Sequence, residues 1–124
     1  MKVIYSICLL IFTVHLFSQE IDTEIKVSQR TININYTADI DSIKGEFIIT
    51  NLTDKVIKVL GIDKECTCSN AKVSSNEIQP KKSITMTMSV MTKDDKLIDT
   101  YSILVLSTNQ RFYRFRIKGS LINK

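Results

Sequence analysis

The most regular pattern in the chain is the stretch Ser83-Ile84-Thr85-Met86-Thr87-Met88-Ser89-Val90. Apolar side chains occupy every second position, which is the repeat of a β-strand that buries one face. The stretch lacks the apolar repeat of about 3.6 residues that an amphipathic helix needs. It therefore predicts a strand whose isoleucine, methionine and valine side chains point into a hydrophobic core.

Six further segments have strand-like patterns and are separated by turn-forming residues. They span residues 24–27, 32–36, 45–50, 55–60, 101–106 and 111–118. We expect a hairpin turn at residues 51–54, strand ends at Gly61 and Gly119, and a central strand at 101–106, which is apolar on both faces. The chain is thus predicted to be all-β: an immunoglobulin-like antiparallel β-sandwich of about seven strands, with a closed barrel as the alternative.

The N-terminus has the pattern of a secretory signal peptide. Lys2 is followed by an uncharged, mostly apolar run that ends at Phe17, and Glu20 comes too early for a membrane-spanning helix of about 20 apolar residues. We predict a signal peptide at residues 1–18, cleaved after Ser18, and a single domain at residues 19–124. The mature protein is expected in the periplasm, at the cell surface or outside the cell, without a membrane span.

Composition limits the chemistry of this mature chain. His15 and Cys8 would leave with the signal peptide, so that Cys66 and Cys68 remain and no histidine does. This loss excludes histidine-based acid–base catalysis and His-ligated metal sites, and we predict no enzymatic activity, no cofactor and no metal site. The net charge, about +3 once Lys2 is removed, is too small to indicate binding to nucleic acid.

Several short landmarks occur in an order typical of one bacterial family. They are Gly45–Asn51, Glu65-Cys66-Thr67-Cys68, Ile78-Gln79-Pro80, Ser107-Thr108-Asn109 and Ile117-Lys118-Gly119. Over roughly residues 43–122 the chain resembles the exported family called domain of unknown function 1573, which is similar to Ig-like domains of the hydin and major-sperm-protein type. The resemblance implies an Ig-like fold and export, and no reaction. The chain departs from the family at Thr67 and Lys81, where Gly is usual.

Cys66 and Cys68 are the sharpest chemical feature, and they are predicted to lie in a connection between strands. Two residues apart in an extended strand, their Cα atoms would be separated by about 6.5 Å, near the limit for a disulfide, and a turn would bring them closer. A local disulfide is one interpretation. A labile thiol-redox pair and a Cu(I) site are the others, the latter with Met91 as a conceivable further ligand. Met86 and Met88 are expected in the core instead, because they alternate with threonine.

The last predicted strand has a basic face. Its Tyr113, Phe115 and Ile117 are expected to point into the core, and the residues of the opposite face form a possible binding surface: Arg111, Arg114, Arg116 and Lys118. Such a surface suits an acidic glycan, a phosphate-bearing lipid or an acidic partner strand. The alternative interpretation is a solvated face on an edge strand, where charges prevent unwanted sheet pairing.

These observations predict a non-enzymatic interaction or structural module of the bacterial cell envelope. Its partner would be an unidentified protein or envelope component, bound through sheet edges or loops. The alternative function is thiol-redox or copper handling, which would depend on Cys66 and Cys68.

Overall fold

The period-two patterns of the sequence correspond to strands in the computed structural model, which describes residues 22–92 and 97–122. The predicted signal peptide lies outside these described residues. Nine strands occur within them: β1 (Ile25–Val27), β2 (Thr31–Tyr36), β3 (Ser42–Asn51), β4 (Ile57–Lys64), β5 (Ser69–Val73), β6 (Glu77–Ile78), β7 (Ser83–Met91), β8 (Leu97–Leu106) and β9 (Phe112–Leu121). The described part of the chain contains no helix long and apolar enough to cross a membrane.

The described strands form two sheets. One has four strands in the order β1-β3-β7-β5, and the other has five in the order β2-β9-β8-β4-β6. The predicted β-sandwich is therefore confirmed, as is the central position of β8. One pairing departs from the antiparallel prediction, because β2 runs parallel to β9.

The hydrophobic core lies between the two sheets. Alternate residues of β7, from Ile84 to Val90, are buried as predicted. Phe47 on β3 and Phe115 on β9 are both 0% exposed, and their ring centroids lie 4.8 Å apart. This aromatic contact joins the middle strands of the two layers.

The turn at residues 51–54 differs from the sequence prediction. It is not a hairpin, because β3 belongs to the four-stranded sheet and β4 to the five-stranded sheet. Asn51 supports this crossing: it is fully buried, and its Nδ2 donates to the carbonyls of Lys55 at 2.6 Å and Ile78 at 2.9 Å. Its Oδ1 accepts a hydrogen bond from Thr53 N at 2.8 Å. A turn-rich sequence thus connects two layers instead of two neighbouring strands.

Two predicted strand ends are also wrong. Gly61 lies within β4 at an irregularity in its pairing with β8, and Gly119 lies within β9. An added Cβ at Gly119 would come within 2.8 Å of Ile43 Cδ1 in the opposite sheet, whereas an added Cβ at Gly61 would meet nothing within 4 Å. Gly119 is therefore a position of close approach between layers, not a strand terminator.

Candidate functional site

The basic side chains of β9 lie on the outer face of the five-stranded sheet. Burial alternates along the strand, so that Tyr113, Phe115 and Ile117 are buried while Arg114 and Lys118 are exposed. This assignment of faces agrees with the prediction. The edge-strand interpretation is wrong, however, because β9 lies between β2 and β8 and its backbone pairs on both sides. The charges of β9 do not protect a sheet edge.

A depression on this outer face is lined by two arginines of β9 and by one that precedes β2. It has a volume of about 390 Å³ and is lined by Arg30, Thr31, Arg114 and Arg116, and we call it the basic depression. The parallel pairing of β2 with β9 places Thr31 opposite Arg116. Arg116 N also donates to Arg30 O at 2.8 Å, which holds the start of β2 against β9.

Two contacts orient the arginines contributed by β9. The guanidinium carbon of Arg114 lies 4.4 Å from the centroid of the Tyr101 ring, within range of a cation–π interaction. Arg116 Nε lies 3.3 Å from Asp99 Oδ1, an ion pair that lacks hydrogen-bond geometry. The Arg30 guanidinium carbon lies instead 5.9 Å from the centroid of the buried Tyr113 ring. Arg114 and Arg116 therefore supply the outward-facing guanidinium groups of the basic depression, with one carboxylate, Asp99, beside Arg116.

Exposed apolar side chains adjoin the basic depression. Phe112, at the start of β9, is 58% exposed and lies opposite Val105 of β8. Val105 lies in turn opposite Gly61 of β4, whose neighbour Leu60 is 54% exposed. Phe112, Val105 and Leu60 form what we call the apolar row, which crosses three strands near one end of the sheet. The same face thus presents both cationic and apolar groups.

The two remaining cations of the predicted surface lie apart from the basic depression. Lys118 is further along β9, opposite Asp99 of β8. Arg111 precedes β9 in the turn after β8, where its backbone has a φ of 65° and its N donates to Thr108 Oγ1 at 3.1 Å. Its clearest structural role is in the turn, since a positive φ is uncommon for residues with a side chain. Arg114 and Arg116 are therefore the part of the predicted surface that lines the basic depression.

Arg30 completes the basic depression and was missed from the sequence. It precedes β2 as a single charged residue, and no local pattern distinguishes it. Its position beside Arg114 follows from the parallel pairing of β2 with β9, which connects segments about 85 positions apart in the chain. Asp99 and Tyr101 were likewise missed, because their role depends on which β9 residues they face.

The cysteines lie in the turn that carries the chain from β4 to β5, and thus from one sheet to the other. Their sulfurs are joined in a disulfide with a Cα–Cα distance of 5.1 Å. Cys66 O accepts hydrogen bonds from Ser69 N at 3.2 Å and from Ser69 Oγ at 2.9 Å, and Met91 N donates to Cys68 O at 3.0 Å. The backbone of this turn is therefore held at both ends by hydrogen bonds.

The surroundings of the disulfide give little support to a metal site. Residues 22–92 and 97–122 contain no group of three or more His, Cys, Asp and Glu side chains placed to hold a metal ion. Met86 and Met88 are fully buried in the core, as predicted. Met91 and Cys68 line an open depression of about 230 Å³. While the disulfide is intact, the thiolates that would bind Cu(I) are not available.

A buried tyrosine anchors the start of β9. The Tyr113 ring is 1% exposed, and its hydroxyl donates to Asp22 Oδ2 at 2.8 Å and lies 3.2 Å from Thr108 Oγ1. Burial, assisted by the negative charge of Asp22, raises the pKa of Tyr113 to about 12. The hydroxyl thus stays neutral and ties the segment before β1 to the turn before β9.

Comparison with known proteins supports the fold but does not identify a family. No family model matches the chain, so the resemblance to domain of unknown function 1573 is not confirmed, and no curated protein matches it either. Among solved structures, a protein of unknown function from Porphyromonas gingivalis W83 is similar with a TM-score of 0.69 and 15% sequence identity. The match covers 79% of this chain and 46% of that one, so this chain spans about half of that protein.

Two further structures share the architecture. An ASH or PapD-like domain of human CEP192 is similar with a TM-score of 0.64 and 9% identity, over 87% of this chain and 96% of that domain. The VesB protease of Vibrio cholerae has a TM-score of 0.58 and 14% identity, over 90% of this chain and 34% of the protease. At these identities the similarities establish an Ig-like, PapD-like β-sandwich.

Proposed function

We propose that this protein is an exported, non-enzymatic interaction module of the bacterial cell envelope and that it binds a protein partner through the outer face of its five-stranded sheet. The observation that carries the proposal is the juxtaposition, on that face, of the basic depression and the apolar row. Arginine and aromatic side chains are enriched where proteins bind one another, because they combine a large contact area with directional hydrogen bonds.

The fold supports an interaction role. A PapD-like β-sandwich is a rigid scaffold, and its outer faces and edges are available to partners. The outer face of the five-stranded sheet is also more distinctive than that of the four-stranded sheet. The outward, half-buried positions of β7 in the four-stranded sheet are Thr85, Thr87 and Ser89, which provide neither a charged nor an aromatic anchor.

Site-specific photo-crosslinking in the native cell envelope tests the binding face. A photo-reactive phenylalanine analogue replaces Phe112 in one variant and Ile48 in a matched control. Ile48 is 50% exposed and lies on the outer face of the other sheet. We expect one discrete protein adduct from position 112 and none from position 48. Adducts of equal yield from both positions would count against a specific face.

A variant without the cysteines separates this function from the thiol-redox alternative. The Cys66→Ser, Cys68→Ser double variant should keep the adduct at position 112, because the disulfide lies in the connection from β4 to β5, outside this face. Loss of the adduct in a folded double variant would favour the thiol-based alternative.

Export is tested separately by intact-mass measurement on protein isolated from the native cell. The pattern of Lys2 followed by an apolar run predicts a mature chain that begins at Gln19. A chain that still begins at Met1 and fractionates with the cytoplasm would contradict export and, with it, the proposed location in the cell envelope.

A further inference from the structure

We infer that the partner presents an extended acidic peptide segment, with a carboxylate in the basic depression and an apolar side chain against the apolar row. This inference rests on the proposed function and specifies the chemistry of the partner. Its basis is the arrangement of Phe112, Arg114 and Arg116 at successive outward positions of β9, with both arginines lining the basic depression.

The basic depression is suited to a carboxylate. Each guanidinium group has five N–H donors in a planar fork that matches the two oxygens of a carboxylate. Arg116 is partly neutralised by Asp99, and Arg114 is oriented by the Tyr101 ring. Arg30, which precedes β2, also lines the depression, and its guanidinium carbon lies 5.9 Å from the centroid of the Tyr113 ring.

The apolar row favours a peptide over a glycan or a free anion. An acidic glycan offers few apolar groups for Phe112 and Leu60, which are each more than half exposed. Inorganic phosphate would occupy the basic depression alone and leave the apolar row uncovered. A peptide can supply both a carboxylate and an apolar side chain.

The exposed carboxylate of Asp99 disfavours an anionic membrane as the ligand. Its side chain is 57% exposed and lies among the cations of the outer face. A uniformly anionic surface would press negative charge against it, whereas a peptide can place a carboxylate beside Arg114 and Arg116 and a neutral residue beside Asp99.

The structure also predicts the spacing of the two groups on the peptide. Phe112 and Arg116 point to the same side of β9 and are four residues apart, which corresponds to about 13 Å along a strand. An extended peptide that lies along β9 would therefore carry its carboxylate and its apolar residue four positions apart.

Synthetic peptides test the inference by fluorescence polarisation with the mature chain. The probe is a labelled Ser/Gly peptide with a Glu-Glu pair and a Trp four residues later. Its controls replace Glu-Glu with Lys-Lys, replace Trp with Ser, or shorten the spacing to one residue. We expect the probe to bind and each control to bind at least about tenfold more weakly, the loss expected for one charged hydrogen bond or one buried ring.

Variants of the protein assign the binding to this face. Arg114→Gln, Arg116→Gln and Phe112→Ser should each weaken binding of the probe about tenfold, while the matched controls Lys44→Gln and Ile48→Ser, exposed on the other sheet, should not change it. Asp99→Asn should strengthen binding about threefold, because the variant removes a competing carboxylate. Unchanged binding in Arg114→Gln and Arg116→Gln, or weaker binding in Asp99→Asn, would overturn the acidic-peptide inference.

Other ligands are distinguished in the same assay. Phosphatidylglycerol vesicles that bind when the probe does not would assign the face to a membrane and overturn the inference. Full displacement of the probe by millimolar inorganic phosphate, together with equal binding of the control peptide in which Ser replaces Trp, would assign the face to a free anion and overturn the inference. If no probe binds but position 112 still crosslinks a protein, only the acidic-peptide inference fails; if neither occurs, the proposed function fails as well.

Discussion

Replacement of Gly119 by alanine should destabilise the protein, although glycine is a poor residue for a strand interior. The added Cβ would lie 2.8 Å from Ile43 Cδ1, 3.1 Å from Tyr36 Cε1 and 3.3 Å from Ile98 Cβ. The Ile43 methyl group can rotate away, but Ile98 Cβ is attached directly to the backbone of the neighbouring strand. Part of the crowding therefore cannot be relieved without moving β8 or β9.

The expected magnitude combines two opposing effects. Overpacking by one methyl group in a close-packed region costs about 1–3 kcal/mol. The lower conformational entropy of alanine in the unfolded chain returns about 0.4–1 kcal/mol. Gly119→Ala should therefore lower the free energy of unfolding by roughly 1–2 kcal/mol. Gly61→Ala is the matched control, because its Cβ would meet nothing within 4 Å, and we expect it to be neutral or slightly stabilising.

Urea denaturation of the two variants measures the difference. A third variant, Gly119→Ala with Ile43→Val, removes the Cδ1 atom nearest to the new methyl group. The loss of unfolding free energy in this double variant should be less than the sum of the losses in the two single variants, since the effects of substitutions at contacting residues are not additive. Equal stability of Gly119→Ala and Gly61→Ala, with additive behaviour in the double variant, would refute the close approach of the two sheets at this point.

The remaining predictions concern β9 and the disulfide. Phe115→Ala should cost about 3–5 kcal/mol and Arg114→Ser about 1 kcal/mol or less in urea denaturation; the reverse order would mean that β9 is out of register by one residue. Tyr113 has a pKa raised from 10.0 to about 12 by burial, so the stability advantage of the wild type over Tyr113→Phe should be full below pH 10 and disappear as the pH rises to 12. Thermal midpoints of both proteins measured across this range check it, and a pH-independent difference would contradict it. The Cys66→Ser, Cys68→Ser variant should lose about 1.5 kcal/mol of unfolding free energy at most, because the disulfide closes so short a loop. Alkylation followed by mass spectrometry should find neither cysteine labelled until mild reductant is added. Two free thiols at the outset would argue against the disulfide.

The core of the sandwich could be predicted because it follows from local alternation. Every second residue of β7 and β9 is apolar, and a one-residue shift would place that whole set in solvent. Phe115 was thus assigned to the correct face without knowledge of its contact with Phe47. Composition and the turn-forming residues between the segments predicted the remaining feature of the fold class, which is that the strands form a β-sandwich.

The pairing of strands could not be predicted in the same way. Asn51-Leu52-Thr53-Asp54 has the residues of a hairpin turn, but Asn51 uses its amide to connect the two sheets. The two missed strands, β5 and β6, are five and two residues long, and neither is long enough to show a clear repeat. Lys81 has a φ of 63° after Pro80, at the position where the family that the chain resembles usually has glycine.

The position of β9 bears on why its outer face is basic. Arg114, Arg116 and Lys118 occupy successive outward positions, and like charges placed so close repel one another. Protection of a sheet edge would justify that cost, but β9 is an internal strand paired with β2 and β8. The edges are formed by other strands, of which β1 and β6 are only three and two residues long, and short edge strands limit unwanted pairing by themselves. The cations of β9 are therefore not needed to prevent pairing at a sheet edge. Since Asp99 balances only part of their positive charge, a ligand that carries carboxylates would offset their repulsion.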